Sequence, residues 1–515
     1  MESTAIKNMQ NLKNKLLAFN FVCLILTVQG CSSVLRRGPL PSSDPPLPAN
    51  FPDTAGKKNS AVIGWKEYFK DPNLTSLIGT ALQNNQELNI LLQEIEAAKA
   101  EVRARKGAIL PFVSAGTSAG LDKVGRHTAA GAAEDNTTNE IAAGRAIPTN
   151  TPNFVFGGTF DWEVDIWRKL RNERDAAILR YLGTQEGRNF MITNIVSEIA
   201  QTYYELVAFD NQLIILNRTI EIQQNALEAV KLQKANARVT ELAVRRFEAE
   251  VLKNQSRLFK IKQQITVTEN KINYLVGRYP QPVKRKSEGY DRMMLSQINT
   301  GLPVELLRNR PDVRKAELEL AATGLDVKAA AARFYPSLSI AGALGLQSFS
   351  LSSAFNTPAS VMYAAAANVM APLINRSAIK ANFLGASARQ IGAIYTYQQT
   401  VLKAYIETVN QLAQIKNYGQ SYDLKTQQVA ALNDSITIAG QLFFNARADY
   451  TEVLFTQRDA LESKMDLVEL KQEQLSAFVK AYKALGGGYN RAAGGSGNST
   501  KMAVPPAAGA LRGGA

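Results

Sequence analysis

The chain has 515 residues, with 59 basic and 45 acidic side chains and a formal net charge of +14. Such an excess suggests nucleic acid, but the Lys and Arg residues form no clustered stripe and no aromatic-interleaved basic motif, which argues against that class. With one histidine, two cysteines and no Gly-Lys-Ser/Thr phosphate loop, the chain lacks the usual bases, thiols and nucleotide cradles, so neither an enzyme nor a cofactor is expected.

Lys7, Lys13 and Lys15 precede an apolar run from Leu16 to Val28, followed by Gln29-Gly30-Cys31. That run is far shorter than the ~20 residues a spanning helix needs, and it reads as the apolar core of a secretory signal. A cysteine directly after a small residue resembles a bacterial lipoprotein signal. Residues 1–30 are then removed and Cys31 carries lipid; the alternative is an ordinary signal with an incidental cysteine. Cys23 leaves with the signal, so the mature chain has no thiol for a disulfide or metal site.

Residues 31–72 begin as a Pro- and Ser-rich tether. A first repeat, 73–277, opens with a helix that Pro111 stops. It continues through strands at about 112–120 and 153–163, a helix to about Ala237 and another from about Thr240. Between the strands, 121–153 reads as a polar loop holding His127, which has no partners for a metal site. A link spans 278–303. The second repeat, 304–485, has the same plan: a helix stopped by Pro336, strands at about 337–349 and 360–371, and two more helices. Residues 486–515 are Gly/Ala/Ser-rich and read as disordered.

Pro111 matches Pro336, Arg168 matches Arg376, and Val244 matches Leu454, which identifies an internal two-fold repeat. Val244, Val251, Leu258, Ile265 and Ile272 keep a strict spacing of seven, as do Leu454, Leu461, Val468, Leu475 and Tyr482. Such heptads signal coiled-coil packing. In the strand after Pro336, Leu338, Ile340, Leu344 and Leu346 share one face, opposite Ser339, Ala341 and Ala343. The first set is expected to face lipid. The fold class is therefore an α+β membrane protein: a transmembrane β-barrel on a long α-helical coiled-coil barrel. Four strands cannot close a barrel alone, so the chain must oligomerise; eight strands from a dimer leave no bore, and twelve from a trimer do.

Short motifs in a fixed order carry a resemblance. They are Gly64-Trp65, Phe160-Asp161-Trp162-Glu163-Val164-Asp165-Ile166-Trp167, Leu302-Pro303-Val304-Glu305, Arg310-Pro311-Asp312-Val313, Arg333-Phe334-Tyr335-Pro336-Ser337 and Ala484-Leu485-Gly486-Gly487-Gly488. The chain resembles the TolC-like outer-membrane factors, in the lipoprotein branch serving resistance-nodulation-division efflux pumps. The resemblance implies a homotrimer in the outer membrane, with 31–72 as the N-terminal tether and equatorial segment, 278–303 as the equatorial link, and a periplasmic tunnel closed at its tip. A periplasmic adaptor and an inner-membrane pump are the implied partners. The exit duct of a type I protein secretion system, or a structural coiled-coil lipoprotein without a pore, are the alternatives.

The two helix–helix turns are then tunnel tips. The second, Arg447-Ala448-Asp449-Tyr450-Thr451-Glu452-Val453-Leu454-Phe455, supplies Tyr450, Glu452 and Phe455 as gate candidates, and the first supplies Glu241. The resemblance implies a glycine before each turn, where this chain has Ala237 and Ala446. Asp449 and Glu452 also match a capping box, which gives Glu452 a purely local role as the competing reading.

Overall fold

The computed structural model describes residues 39–42, 46–52, 60, 63–136, 140–142, 145–146, 150–293, 299–374, 376–445 and 447–487. The expected signal, Cys31, Ala446 and the Gly/Ala/Ser-rich tail from 488 lie outside them. Among the described residues, no helix is long and apolar enough to cross a membrane.

The elements follow one plan twice. The first pass has α1 (Trp65–Tyr68), α2 (Pro72–Asn84), α3 (Gln86–Gly107), β1 (Phe112–Asp122), β4 (Thr151–Val164), α5 (Lys169–Ala235) and α6 (Glu241–Val276). The second has α7 (Leu306–Asn309), α8 (Pro311–Ala332), β5 (Ser337–Ser348), β6 (Val361–Met370), α9 (Ser377–Phe444) and α10 (Tyr450–Leu485). The segment expected as a loop between β1 and β4 also holds α4 (Ala129–Asn136) and a small hairpin, β2 (Glu140–Ala142) with β3 (Arg145–Ala146). At 67 and 68 residues, α5 and α9 each run on the order of 100 Å.

The helices expected to run unbroken up to each proline are in fact interrupted, and the interruptions have physical causes. Asp71 caps α2 by accepting from Asn73 and Leu74 amides, with Pro72 at the first helical position where its missing N–H costs nothing. Asn85 then ends α2 and restarts the chain as α3 by accepting from the Leu88 amide. Its other side-chain atom, Nδ2, donates to the Leu275 carbonyl at 2.8 Å. In the second repeat Arg310 stands at the equivalent break and donates to the Ala484 carbonyl at 3.1 Å. Leu275 and Ala484 each lie two residues before a positive-φ glycine, Gly277 or Gly486. A Cβ on either glycine would meet a backbone oxygen, that of Asn84 at 2.4 Å or that of Asn309 at 2.5 Å.

Two compact units are present. One comprises Ala98–Tyr181 and Leu320–Ala393 and contains a four-stranded antiparallel sheet in the order β1-β4-β5-β6. Beneath its second-repeat strands, Val327, Ala330, Phe334, Phe383 and Ala386 form a small core between α8 and α9.

The other unit is helical. Its largest core gathers α2, α6, the middle of α5 and the end of α10 around Tyr68, Phe69, Tyr203 and Tyr482. Tyr68 stacks on Tyr482 at 4.1 Å between ring centroids, and the Tyr482 hydroxyl donates to the Ile63 carbonyl. All ten heptad residues are buried or pack against one of these cores. Phe51, in the proline-rich stretch, is buried with Leu306, Val313, Val401 and Leu485, so the tether is pinned there. In the link, Arg285 grips the Asp210 carboxylate with two guanidinium nitrogens and reaches Glu269 with a third.

Candidate functional site

Register decides what the sheet presents. Directly paired residues of antiparallel strands point to the same face. Leu338, Ile340, Gly342, Leu344 and Leu346 pair with Val164, Trp162, Phe160, Gly158 and Phe156 on β4. On their other side the same five pair with Val369, Ala367, Ala365, Tyr363 and Val361 on β6. Phe160 and Gly158 pair in turn with Val113 and Ala115 on β1. The four leucine and isoleucine positions therefore belong to one apolar face that crosses all four strands, with Leu344, Tyr363, Val369 and Val113 at least two-thirds exposed. Gly342 leaves room for the Phe160 ring beside it, since a Cβ there would sit 2.4 Å from Phe160 Cε1.

The opposite face is largely small or polar. Ser114 and Thr159 share a hydroxyl hydrogen bond of 2.8 Å, and Gln347 donates to Asn153 Oδ1 at 2.9 Å. Gly157 and Gly345 oppose one another, each too close to the other strand's backbone for a Cβ. Exposed edges remain at β1 and β6, the outer strands of the sheet.

The joint between sheet and helices is held by tryptophans. Trp162 Nε1 donates to the Ile109 carbonyl, two residues before Pro111, and Trp167 Nε1 donates to the Pro336 carbonyl. Trp167 also stacks on Tyr335 at 4.8 Å. Asp165 begins α5 by accepting from the Leu170 and Arg171 amides and from Arg171 Nε.

Within the helical unit the two helix–helix turns share one core. Leu227 and Val230 from α5, Val244, Phe247 and Val251 from α6, and Val453 from α10 are buried together, with Tyr450 and Leu454 packed against them. Tyr450 thus serves the tip core. Glu241 is not free either. It pairs with Lys234 across the turn and with Arg245 one turn on, and the Lys234 hydrogen bond leads in holding its carboxyl below the usual range. Glu452 and Phe455 are exposed; the Arg458 guanidinium lies 5.0 Å over the Phe455 ring. Asp449 is the N-cap of α10, but its side chain makes no capping hydrogen bond, so the expected capping box is absent.

The first turn explains the expected glycine. The Arg238 amide donates to the Gln233 carbonyl and the Ala237 amide to that of Lys234, the paired bonds of a Schellman cap. Ala237 adopts φ +55°, the left-handed conformation that glycine takes without penalty.

Comparison with known proteins decides the family. Residues 77–278 and 302–487 match the family described as outer membrane efflux protein. The chain belongs to that family. The family model matches twice, once in each half of the chain, and the role this supports is an outer-membrane efflux channel. The chain is 26% identical to the cation efflux system protein CusC of Escherichia coli O6:H1, over 93% of this chain and 99% of the relative. It is 25% identical to the probable outer membrane lipoprotein SilC of Salmonella typhimurium, over 91% and 98%. The fold matches the MtrE outer membrane channel of Neisseria gonorrhoeae with a TM-score of 0.77 at 21% identity, covering 88% of this chain and 99% of that one.

Sequence reading missed two features of this efflux protein. The shared role of Asn85 and Arg310 was hidden because the two residue types differ, although the glycines two residues beyond their acceptors were visible. The bridge from Lys234 to Glu241 spans the turn, where no helical spacing points to it.

Proposed function

We propose that three copies of this chain close a twelve-stranded barrel in the outer membrane and form a passive exit duct for small molecules or metal ions. The observation that carries the reading is the four-stranded sheet with one continuous apolar face and two open edges. In lipid, each unpaired backbone group costs several kcal/mol, so the edge of β1 must meet another strand. The 10-residue β6 of a neighbouring copy matches the 11-residue β1 closely in length. Eight strands close on a barrel filled by side chains, whereas twelve leave a bore, and the small residues of the polar face suit a water-filled lumen.

The apolar face, with Leu338, Ile340, Leu344 and Leu346, then contacts lipid. Cys31 carries an acyl anchor, a reading supported by the lipoprotein relative. A periplasmic adaptor and an inner-membrane resistance-nodulation-division pump engage the helical tips and supply the energy, and the chain itself performs no catalysis. Glu452 and Phe455 face the tunnel mouth as its gate. Domain limits follow the repeats: 73–277 and 304–485 around the link 278–303. Chemical cross-linking and planar-bilayer recording of purified protein test the duct. A ladder ending at three with stepwise single-channel currents is expected; a ladder ending at two, or a silent bilayer, refutes it.

A further inference from the structure

Outside the sheet and the tips, the unit built on the sheet contains a cleft of about 520 Å³ between α3, α5, α8 and α9. That is the size of a small-molecule site. Its walls follow a shared pattern. Glu173, Ala177 and Arg180 on α5 lie at i, i+4 and i+7, and Asp326 and Ala330 on α8 keep the same spacing with Arg333, in the turn that follows α8. On α3, Ala98, Glu101 and Arg105 give the same three residue types within seven positions. α3, α5 and α9 thus put one arginine each at the cleft, and the turn after α8 a fourth, over a floor of alanines.

Three of these arginines are answered by acids. Arg105 bonds Glu101 at 2.7 Å and Glu173 at 3.0 Å, Arg333 also reaches Glu173, and Arg180 pairs with Asp326. On α9 the pattern repeats as Asn382, Ala386 and Arg389, with an amide where the other helices have a carboxylate. Arg389 is exposed and has no acidic partner among the described residues. Four guanidinium groups face three carboxylates, so one cationic fork is left over beside an amide donor.

We propose that this cleft is a binding site for a small organic molecule bearing a carboxylate, which occupies Arg389 in the place the missing acid would take. A guanidinium presents parallel N–H donors that match a carboxylate's two oxygens. Asn382 adds a donor that does not compete for the guanidinium, and the alanine floor leaves room for an organic body. The inference rests on the duct reading only for its purpose, a resting place for anionic cargo along the conduit; the site itself stands on the cleft.

The test uses purified, detergent-solubilised protein and the fluorescence anisotropy of 5-carboxyfluorescein, with the cationic dye rhodamine 6G as its counterpart. Saturable binding of the carboxylate dye is expected, with at least tenfold weaker binding in Arg389→Ala. Asn382→Asp, which keeps the arginine and supplies the missing acid, is expected to weaken it similarly, while Arg458→Ala at the tip leaves it unchanged. Equal binding of both dyes, or wild-type affinity in Arg389→Ala and Asn382→Asp, overturns the site. Dissociation of the cross-linked oligomer in Arg389→Ala also overturns it, because the arginine would then be a link between copies. Bilayer recording on the same wild-type preparation separates the two readings: dye binding without channels removes the duct and keeps the site, and channels without dye binding do the reverse.

Discussion

Arg310 gives the strongest single test of how the helix break of the second repeat is tied to the end of α10. Its side chain is 5% exposed, with Nε and Nη2 on the Asp312 carboxylate at 3.0 and 2.6 Å. Nη1 reaches the Ala484 carbonyl at 3.1 Å and Glu407 at 2.9 Å. Burial opposes its charge, but Asp312 and then Glu407 outweigh that and hold the guanidinium above its usual pKa. Arg310→Met keeps the apolar stem and removes every donor. Breaking a buried ion pair from one side costs about 3–5 kcal/mol. Asp312 and Glu407 are 19% and 38% exposed and regain water, so the charge part falls to about 2 kcal/mol. Loss of the donor to the Ala484 carbonyl adds about 1 kcal/mol. The expected destabilisation is therefore about 3 kcal/mol, of which Arg310→Lys restores about 1 kcal/mol, since an ammonium keeps the charge without the fork. Urea midpoints followed by circular dichroism measure the total. Amide exchange at Gly486 and Gly487, which donate to Lys483 and Tyr482, localises it. An Arg310→Met protein within about 0.5 kcal/mol of wild type, no more affected than a surface change such as Arg308→Met, would refute the joint as described.

Four further outcomes are expected. Ala237→Gly relieves a left-handed alanine that costs about 1–2 kcal/mol, and glycine's extra chain entropy returns about half of that. Slower amide exchange at Arg238 is the readout, and Ala237→Val must move it the other way. Gly342→Val drives a side chain into the Phe160 ring and is expected to cost about 1–3 kcal/mol, lowering the melting temperature; adding Phe160→Ala restores it if the clash is the cause. Lys471 is buried, and desolvation lowers its pKa below 10.5, with Asp291 opposing. The unfolded chain then holds more protons between the lowered value and 10.5, so stability rises with pH across that window. Lys471→Met is expected to flatten that rise in pH-dependent urea titrations, and an unchanged slope counts against the assignment. Glu452→Gln is expected to lower cation preference in single-channel recordings; unchanged conductance and selectivity remove Glu452 from the gate.

Much of the fold was legible because burial leaves periodic traces. The two heptad series from Val244 and Leu454 lie in cores because a strict seven keeps one helix face turned inward. α3 and α8 end at Gly107 and Ala332, each four residues before Pro111 or Pro336, because a proline cannot continue a helix, so the joints could be read without any tertiary knowledge. Breaks at Asn85 and Arg310 were not legible. An amide and a guanidinium share no sequence signature, and what makes them equivalent is the carbonyl each one reaches. The short helix and hairpin between β1 and β4 were hidden by a Gly-, Ala- and Asn-rich composition that resembles a loop. The capping box failed for the opposite reason: Asp449 and Glu452 have the right spacing, yet the Asp449 side chain makes no cap bond.

The tips show why one acidic residue is a cleaner probe than the other. Lys234 lies on α5 and Glu241 on α6, so their ion pair ties the two helices of the first hairpin together. Neutralising Glu241 therefore changes the hairpin's stability along with any electrostatic field, and the two effects cannot be separated in one measurement. In the second hairpin the ion pair from α9 to α10 is Lys425 with Asp466, 14 residues along α10 from Glu452, and Glu452 itself is exposed. The nearby Phe455 is engaged by Arg458 from its own helix. Replacing an exposed, unpaired carboxylate by its amide alters stability by no more than about 0.5 kcal/mol. A change in ion preference on Glu452→Gln therefore reports the charge of that side chain, as the proposed gate requires, and Glu241→Gln is its structural control. If both substitutions shift selectivity equally, loosening of the tip accounts for the effect and the gate assignment fails.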